Sequence, residues 1–318
     1  MDIDFLLFLQ ELRETLHPLF GAFFMMVSDL ANGPAIIAIP CLIYWCFDKR
    51  RGSHVLFSFA LGTFVNGLIK VTVCALRPWM RDKRIIPYED AIESATGYSF
   101  PSGHTQSSAS ILGALGWTYR HEKRWALPLC CIVVLLVALS RNMLGVHTPQ
   151  DVIVGMIVGA IFVIAADALL DWADEKDGRD ALLAIASVII TIAACAYVTL
   201  KPYPYDTSQH ISVENLSEMR LDCYQSSALL MGAFCSWWAE RAWLRFEVGC
   251  DLRRGILRIV IGIVITVIFR YVLTLPLNWL DIEEAYAFAK GLLTTVAAVY
   301  IAPWAFTAFE RRGAQKTA

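Results

Sequence analysis

The chain has 318 residues, of which 57% are hydrophobic or aromatic and only 18% are charged. Soluble domains usually carry about 25% charged residues, so this composition excludes an ordinary soluble globular protein. The net charge of -2 excludes a global basic field that would attract nucleic acid. The nine cysteines form no C-x-x-C pair and mostly lie in apolar runs. They therefore predict small buried side chains rather than a disulfide framework or a zinc site.

The hydrophobic pattern predicts an all-α fold, a polytopic transmembrane helical bundle. Residues 1–32 alternate polar with large apolar side chains, which indicates an interfacial or re-entrant segment. Nine apolar segments that can span a membrane follow in chain order. They are residues 33–47, 55–76, 104–119, 125–140, 150–171, 182–200, 224–240, 256–275 and 286–307. The polar stretch after the sixth segment divides them into a six-helix core and about three accessory C-terminal helices.

Lysine and arginine residues concentrate in alternate connections between the apolar segments. They are Lys49, Arg50, Arg51, Arg120, Lys123, Arg124, Lys176, Arg179, Arg241, Arg245, Arg253, Arg254, Arg311, Arg312 and Lys316. The positive-inside rule places these connections in the cytoplasm. A basic cluster on the opposite side departs from the rule and predicts an anionic ligand there. That cluster consists of Arg77, Arg81, Lys83 and Arg84.

A first motif joins two cations at the end of the second apolar segment. Lys70 lies within the apolar run, where a cation is costly and usually faces a polar cavity. Arg77 follows seven residues later, two helical turns on, so the pattern predicts that both cations share one helix face. Pro78 then ends the helix. An arginine fork and a lysine point charge together suit the oxygen atoms of a phosphate group.

A second motif, Pro101-Ser102-Gly103-His104, stands directly before the third apolar segment. Ser102 can cap the helix, and Gly103 lets the backbone approach a ligand closely. The free N–H groups of a helix N-terminus form a ready anion site. His104 is predicted to lie in the first turn, at the edge of that site.

A third motif runs from Ser140-Arg141 to His147 and Asp151. Arg141 closes the fourth apolar segment, and Thr148 with Pro149 predicts the start of the next helix. His147 and Asp151 are four residues apart, so their side chains can meet. A carboxylate on one ring nitrogen fixes the tautomer and leaves the other nitrogen as a free nucleophile.

Strict alternation of the spans places all three motifs on one side of the membrane, and the charge rule makes that side extracytoplasmic. In this arrangement the chain resembles the type 2 phosphatidic acid phosphatase family, whose pattern is K-x6-R-P, P-S-G-H and S-R-x5-H-x3-D. All eleven fixed positions of the pattern are met, within roughly residues 55–172, about a third of the chain.

The resemblance implies a metal-independent phosphatase without a cofactor. The residue matching His147 attacks phosphorus and forms a phosphohistidine, and the one matching Asp151 orients it. The residue matching His104 protonates the leaving oxygen and later activates water. The remaining matches would bind the phosphoryl oxygens: Lys70, Arg77, Ser102, Gly103 and Arg141. No carboxylate cluster suited to Mg²⁺ accompanies the motifs, so no metal site is predicted.

The apolar segments and the polar stretch after the sixth give the expected domains, and the resemblance adds the setting. Residues 33–200 would form the phosphatase core, residues 201–223 an extracytoplasmic loop, and residues 224–318 the accessory helices with a cytoplasmic tail. The expected setting is a bacterial cell membrane, with the bilayer and a phosphorylated lipid as partners. Nothing in the sequence defines an oligomeric state.

The leading function is hydrolysis of a lipid phosphate or pyrophosphate, such as phosphatidic acid, phosphatidylglycerol phosphate, undecaprenyl pyrophosphate or a phosphorylated sphingoid base. The aromatic and sulfur side chains of the loop after Pro78 could touch the lipid chain; they are Trp79, Met80, Tyr88 and Tyr98. Glucose-6-phosphatase-like hydrolysis of a soluble ester is an alternative within the family. The related vanadium haloperoxidases are soluble, which disfavours that function. A non-catalytic lipid transporter, with Arg270 and Lys290 marking its path, is the third alternative.

Overall fold

The computed structural model describes residues 2–16, 18–32, 34–204, 213–276 and 282–317, and within these ranges the chain forms helices and no strands. The N-terminal helices are α1 (Asp2–Thr15), α2 (Pro18–Asn32) and α3 (Pro34–Cys46). The central helices are α4 (Lys49–Val73), α5 (Pro78–Arg81), α6 (Glu89–Glu93), α7 (Gly103–Tyr119), α8 (Ala126–Met143), α9 (Pro149–Asp174) and α10 (Arg179–Leu200). The C-terminal helices are α11 (Val213–Ala239), α12 (Leu252–Val267), α13 (Glu283–Val296) and α14 (Ala302–Thr317).

Six helical stretches among the described residues have the length and apolar composition of membrane spans. They are Lys49–Arg81, Ala126–Met143, Pro149–Asp174, Arg179–Leu200, Leu252–Val272 and Glu283–Arg311. Their outward faces carry exposed isoleucines, for example Ile157 on α9 and Ile189 on α10. Large apolar side chains in such numbers on an outer surface are stable against lipid rather than water. The predicted polytopic helical bundle is therefore confirmed.

The bundle is organised around α4 and α11, which pack against each other. Helix α4 also contacts α7 and α9, while α11 contacts α10 and α13. Aromatic side chains fill the interface, where the rings of Phe57 and Phe234 stack with centroids 4.1 Å apart. The accessory C-terminal helices and the core thus share one hydrophobic interior.

Ion pairs hold the helices together at the end of the bundle where α4 begins. Lys49 Nζ lies 3.0 Å from an oxygen of the buried Glu240, just beyond α11. Arg50 contacts Asp174 at the end of α9 at 2.6 Å. The basic residues predicted to be cytoplasmic therefore also tie three helices together at this end.

One predicted boundary differs from the structure, and the N-terminal segment makes contacts that the sequence did not predict. Helix α11 begins at Val213, whereas the sequence predicted a loop as far as residue 223; residues 205–212 of that loop lie outside the described residues. Residues 2–32 form two helices that pack on α8, so they are attached to the core. Arg13 of α1 is buried and donates to the carbonyl oxygens of Met143 at 3.0 Å and Ile86 at 2.7 Å.

Candidate active site

A cavity of about 280 Å³ opens between α4, α7 and α11, beside the segments that follow α6 and α8. Five of the eight predicted site residues line it: Lys70, Arg77, Gly103, His104 and His147. The other three, Ser102, Arg141 and Asp151, are buried behind this lining. Segments far apart in sequence therefore meet at one polar cavity.

The sequence predicted that the two cations of the first motif share one helix face. This prediction is wrong, because they lie on different elements. Helix α4 ends at Val73, and Cys74 adopts a left-handed backbone conformation with φ 54°. The chain leaves the helix there, and Arg77 becomes the N-cap of the short α5. Lys70 and Arg77 still line the same cavity because the chain turns back towards it.

Arg77 is buried and fixed by four hydrogen bonds. Its guanidinium donates to the carbonyl oxygens of Thr96 at 2.6 Å, Gly97 at 3.0 Å and Val146 at 3.0 Å. Nη1, which donates to Val146, also lies 3.0 Å from Nε2 of His147. A single planar fork thus joins the segment after α6 to the segment that carries His147.

His147 lies between Arg77 and Asp151. Its Nδ1 is 3.3 Å from Asp151 Oδ2, and Asp151 Oδ2 also accepts hydrogen bonds from Thr148 N at 2.8 Å and Ser99 Oγ at 2.5 Å. Because Arg77 can only donate, Nε2 must carry the lone pair and Nδ1 the proton. Burial, followed by the nearby guanidinium groups, lowers the pKa of His147 well below its usual range.

The second motif forms the capped start of α7. Ser102 is the N-cap, and its Oγ accepts a hydrogen bond from Thr105 N at 3.4 Å. Its backbone N–H donates to the Asp151 carbonyl oxygen at 2.9 Å, which joins the second motif to the third. A Cβ atom placed at Gly103 would meet only Asn66 Oδ1, at 3.9 Å, so the glycine leaves open space at the cavity wall.

Gly155 on α9 allows the close contact between α9 and the start of α7. A Cβ atom at Gly155 would stand 2.7 Å from the Ser102 carbonyl oxygen, closer than real Cβ atoms come. Only glycine lets α9 approach the start of α7 this closely. The spacing between His147, just before α9, and His104, on α7, therefore depends on the Gly155 contact.

Arg141 lies behind the cavity wall, and its side chain is fully buried. Its Nη1 donates to Ser28 Oγ at 2.7 Å and lies 3.4 Å from Ser94 Oγ, which lines the cavity. Its Nε and Nη2 atoms have no hydrogen-bond partner among the described residues. Two buried donors on a cation next to the cavity suit an oxyanion placed there.

The predicted anion-binding cluster around Arg77 is smaller than expected. Arg81 pairs with Asp2 at 2.9 Å, and Arg84 pairs with Asp82 at 2.7 Å, so Arg77 alone of the four basic residues lines the cavity. The four side chains predicted to touch the lipid chain also lie outside the cavity lining; they are Trp79, Met80, Tyr88 and Tyr98. Tyr98, one of these four, is buried and offers its carbonyl oxygen to Lys70 Nζ at 2.8 Å.

The residues proposed to mark a transport path also lie away from the cavity. Arg270 lies over the ring of Tyr271 at 5.6 Å, and Lys290 lies over the ring of Tyr286 at 5.6 Å. Neither cation lines the cavity of the three motifs. Both make contacts typical of cations at the edge of a helical bundle.

Several functional neighbours were missed because they belong to no motif. Ser99 contacts Asp151, Ser94 contacts Arg141, and Asn66 and Asp222 line the cavity. Only Asn66 had a usable signal, since it is a polar residue one turn before Lys70 on an apolar helix. Within the described part of the chain, no group of three or more His, Cys, Asp or Glu side chains could hold a metal ion.

The apolar outer helices and the enclosed cationic cavity define an integral, multi-pass membrane protein. Residues 51–174 match the model of the PAP2 superfamily, and residues 224–315 match the transmembrane extension of PAP2 superfamily phosphatases. The undecaprenyl-diphosphatase BcrC of Bacillus subtilis is 30% identical over 148 residues, which cover 43% of this chain and 71% of that protein. The chain belongs to the PAP2 superfamily.

Two further relatives are matched over a smaller part of their length. The lipid phosphate phosphatase delta of Arabidopsis thaliana is 26% identical over 151 residues, which cover 45% of this chain. An undecaprenyl-diphosphatase of Sulfolobus acidocaldarius is 30% identical over 139 residues, which cover 43% of this chain. The chain spans 36% and 65% of the lengths of these two proteins. No solved structure matches the chain.

Proposed function

We propose that this chain is a membrane lipid phosphatase that hydrolyses a lipid phosphate or pyrophosphate through a phosphohistidine intermediate on the extracytoplasmic face. The observation that carries the proposal is the convergence of Lys70, Arg77, Gly103, His104 and His147 on one cavity. Phosphoryl transfer depends mainly on positioning and charge stabilisation, which two lining cations and a helix N-terminus supply. The names of the matched relatives, a lipid phosphate phosphatase and undecaprenyl-diphosphatases, agree with a lipid substrate.

In the first step the Nε2 lone pair of His147 attacks phosphorus, and the bond from phosphorus to the leaving oxygen breaks. Burial and the neighbouring cations lower the pKa of His104. The bound phosphate dianion offsets those positive charges, so that a protonated His104 gives its proton to that oxygen. Asp151 holds the Nδ1 proton of His147 and stabilises the positive ring that forms. The phosphoryl oxygens take donors from Lys70, Arg77 and the start of α7, while Arg141 adds positive charge from behind Ser94.

In the second step His104 accepts a proton from a water molecule, and the water oxygen attacks the phosphohistidine. The bond between phosphorus and Nε2 breaks, and its electron pair returns to the imidazole of His147. Phosphate leaves, and both histidines regain their starting protonation. The two histidines therefore exchange one proton with the substrate and water, and the net reaction consumes one water molecule.

The test measures phosphate release by the purified full-length chain in detergent, with and without EDTA. The substrate panel consists of phosphatidic acid, a prenyl pyrophosphate and a water-soluble phosphate ester whose phosphate headgroup matches that of phosphatidic acid. We expect vanadate-sensitive release that EDTA does not inhibit. Release from the soluble ester alone would favour the glucose-6-phosphatase-like alternative. Failure to release phosphate from every member of the panel would favour the transporter and contradict the proposal.

A further inference from the structure

The cavity extends past the motif residues into the interior of the bundle, and its lining there adds polar side chains to apolar ones such as Phe59 and Leu229. Helix α4 lines it with Thr63 and Asn66, which lie on the same helix face as Lys70. Helix α7 adds Gln106 and Ser107. Helix α11 completes the lining with Asp222, Gln225 and Ser226. Polar side chains inside an apolar bundle are costly and mark the place where a polar ligand lies.

Asn66 is a buried donor on this wall. Its side chain is 4% exposed, and its Nδ2 atom has no hydrogen-bond partner in the described part of the chain. Its Oδ1 lies within 3.9 Å of the position that a Cβ atom would take at Gly103, so the amide stands next to the start of α7. A buried donor is costly to leave unsatisfied, which indicates that a ligand atom accepts its hydrogen bond.

Asp222 brings a negative charge to a cavity that also contains Lys70 and Arg77. Its side chain is exposed and contributes to the cavity wall. A carboxylate repels a phosphate group, so its presence suits a different part of the substrate, one that donates hydrogen bonds. Hydroxyl groups fit better than an ammonium group, because the two cations in the same cavity would repel an ammonium.

The position of His104 indicates which part of the substrate this is. His104 is the residue proposed to protonate the leaving oxygen, and Ser107, three residues further along α7, lines the polar extension. The leaving group therefore lies on the side of the cavity where the lining is polar. A leaving group made only of hydrocarbon would leave the buried Nδ2 atom of Asn66 without a hydrogen-bond partner.

We propose that Asn66, Asp222 and Gln225 form a subsite for a hydroxyl-bearing leaving group, so that the preferred substrate is the phosphate monoester of a polyol. The polyol is either the headgroup of a phospholipid or a free molecule, and both present the same hydroxyl chemistry. The proposal rests on the proposed function. The subsite gives α11 a part in substrate selection. The match to the transmembrane extension begins at residue 224, so Gln225 lies within the matched range and Asp222 lies just before it.

The test compares two lipids with the same oleoyl chains, phosphatidic acid and phosphatidylglycerol phosphate. It adds glycerol 3-phosphate as the free polyol ester and a sphingoid-base phosphate as the substrate that carries an ammonium group. The purified full-length chain is assayed in detergent. We expect kcat/KM to be at least about tenfold higher for phosphatidylglycerol phosphate than for phosphatidic acid, because only the former leaves as a hydroxylated headgroup. Turnover of glycerol 3-phosphate at a comparable kcat/KM would identify a free polyol ester as the substrate, and its absence would identify the lipid headgroup.

Asp222→Asn should reduce this preference by about tenfold or more. The matched control is Glu218→Gln, which removes the same charge one turn earlier on α11 from an exposed residue outside the cavity lining. The control should keep the wild-type preference. Asn66→Ala is the second variant, with the same expected direction as Asp222→Asn. The comparison of the two lipids as substrates of the wild-type protein tests the subsite even if both variants fail to fold.

Three results would overturn the subsite while leaving the proposed function in place. The first is equal kcat/KM for the two lipids. The second is an Asp222→Asn variant that changes both lipids equally, which would mean that Asp222 only offsets the charge of Lys70. The third is a preference for a sphingoid-base phosphate that Asp222→Asn removes, which would mean that the subsite binds ammonium. Absence of phosphate release from every substrate would instead overturn the proposed function and the subsite together.

Discussion

Nη1 of Arg77 donates a hydrogen bond to Nε2 of His147 across 3.0 Å, so the nitrogen proposed to attack phosphorus is already occupied. The same guanidinium is held by three backbone carbonyl oxygens. A phosphoryl oxygen that takes over the Nη1 donor would free the Nε2 lone pair at the moment the substrate arrives. Binding of the anion would thereby release the nucleophile through one side chain.

Because of this arrangement, we expect Arg77→Lys to disrupt catalysis although the substitution keeps the positive charge. Lysine has no planar fork and cannot make the four contacts at once. We expect kcat to fall by at least about tenfold, equivalent to about 1.4 kcal/mol of transition-state stabilisation. Arg81→Lys is the matched control because Arg81 is exposed and pairs with Asp2 outside the cavity. Equal kcat values for the two variants would remove Arg77 from the proposed mechanism.

Two glycine-to-alanine changes should separate substrate binding from folding. In Gly103→Ala the new methyl group meets no protein atom closer than 3.9 Å and projects at the cavity wall, so we expect normal thermal stability with impaired turnover. In Gly155→Ala the methyl group would stand 2.7 Å from a backbone oxygen, so we expect a lower melting temperature in detergent.

Gly255→Ala on α12 is the control for Gly155→Ala. Its new methyl group would make only an ordinary contact, with Cys250 Sγ at 3.6 Å. Alanine favours a helix interior over glycine by about 1 kcal/mol, so stability should be unchanged or higher. Thermal unfolding followed by light scattering, together with kcat and KM, measures all three variants. A destabilised Gly103→Ala variant would contradict the open space assigned to that position.

The pH dependence of the first chemical step follows from the environment of His147. Burial and the neighbouring guanidinium groups lower the pKa of His147, so the folded protein holds the neutral imidazole at neutral pH. As the pH falls through about 6.5, where a histidine in the unfolded chain takes up a proton, the folded His147 stays neutral. We therefore expect single-turnover phosphorylation to retain its neutral His147 nucleophile as the pH falls below about 6.5.

The same shift has a consequence for stability. Below about pH 6.5 the unfolded chain binds a proton at His147 that the folded chain does not, so this residue makes folding less favourable as the pH falls further. Rapid-quench phosphorylation and thermal unfolding over the same pH series measure the two effects. A phosphorylation rate that falls with a midpoint near pH ~6.5 as the pH is lowered would show an unshifted nucleophilic histidine and contradict the assignment.

The proposed extracytoplasmic side of the site can be tested with single cysteines at the two ends of the bundle. Lys83 is exposed near the cavity end, and Lys123 is exposed in the connection between α7 and α8. We expect Lys83→Cys to react with a membrane-impermeant maleimide in intact cells, and Lys123→Cys to react only after permeabilisation. Labelling is measured above the background of the nine native cysteines. The reverse pattern would place the site in the cytoplasm.

The sequence predicted the bundle and the convergence of the motifs because both follow from hydropathy and fixed spacing. It placed Arg77 on the face of Lys70 because nothing local marks the left-handed turn at Cys74 that ends α4. Pro78 explains only why a helix cannot continue further. The backbone carbonyl oxygens that hold Arg77 come from chain segments that no sequence spacing relates to it.

The start of α11 was missed for a different reason. Charged residues such as Glu218 and Asp222 resemble a loop when only hydropathy is considered. In the structure Met219 and Cys223 of the same stretch are buried against Val71 of α4, so tertiary packing stabilises the helix. Long-range packing of this kind also hides Arg141 behind Ser94, a contact that the motif pattern does not contain.

The most direct test of the central claim is to trap the covalent intermediate. The purified chain is mixed with a substrate carrying a radiolabelled terminal phosphate and quenched in alkali, which preserves phosphohistidine. We expect the label on the peptide that contains His147, and its loss together with turnover in His147→Ala, while the variant elutes from size exclusion like the wild type. Label on another residue, or substantial turnover by His147→Ala, would contradict the account.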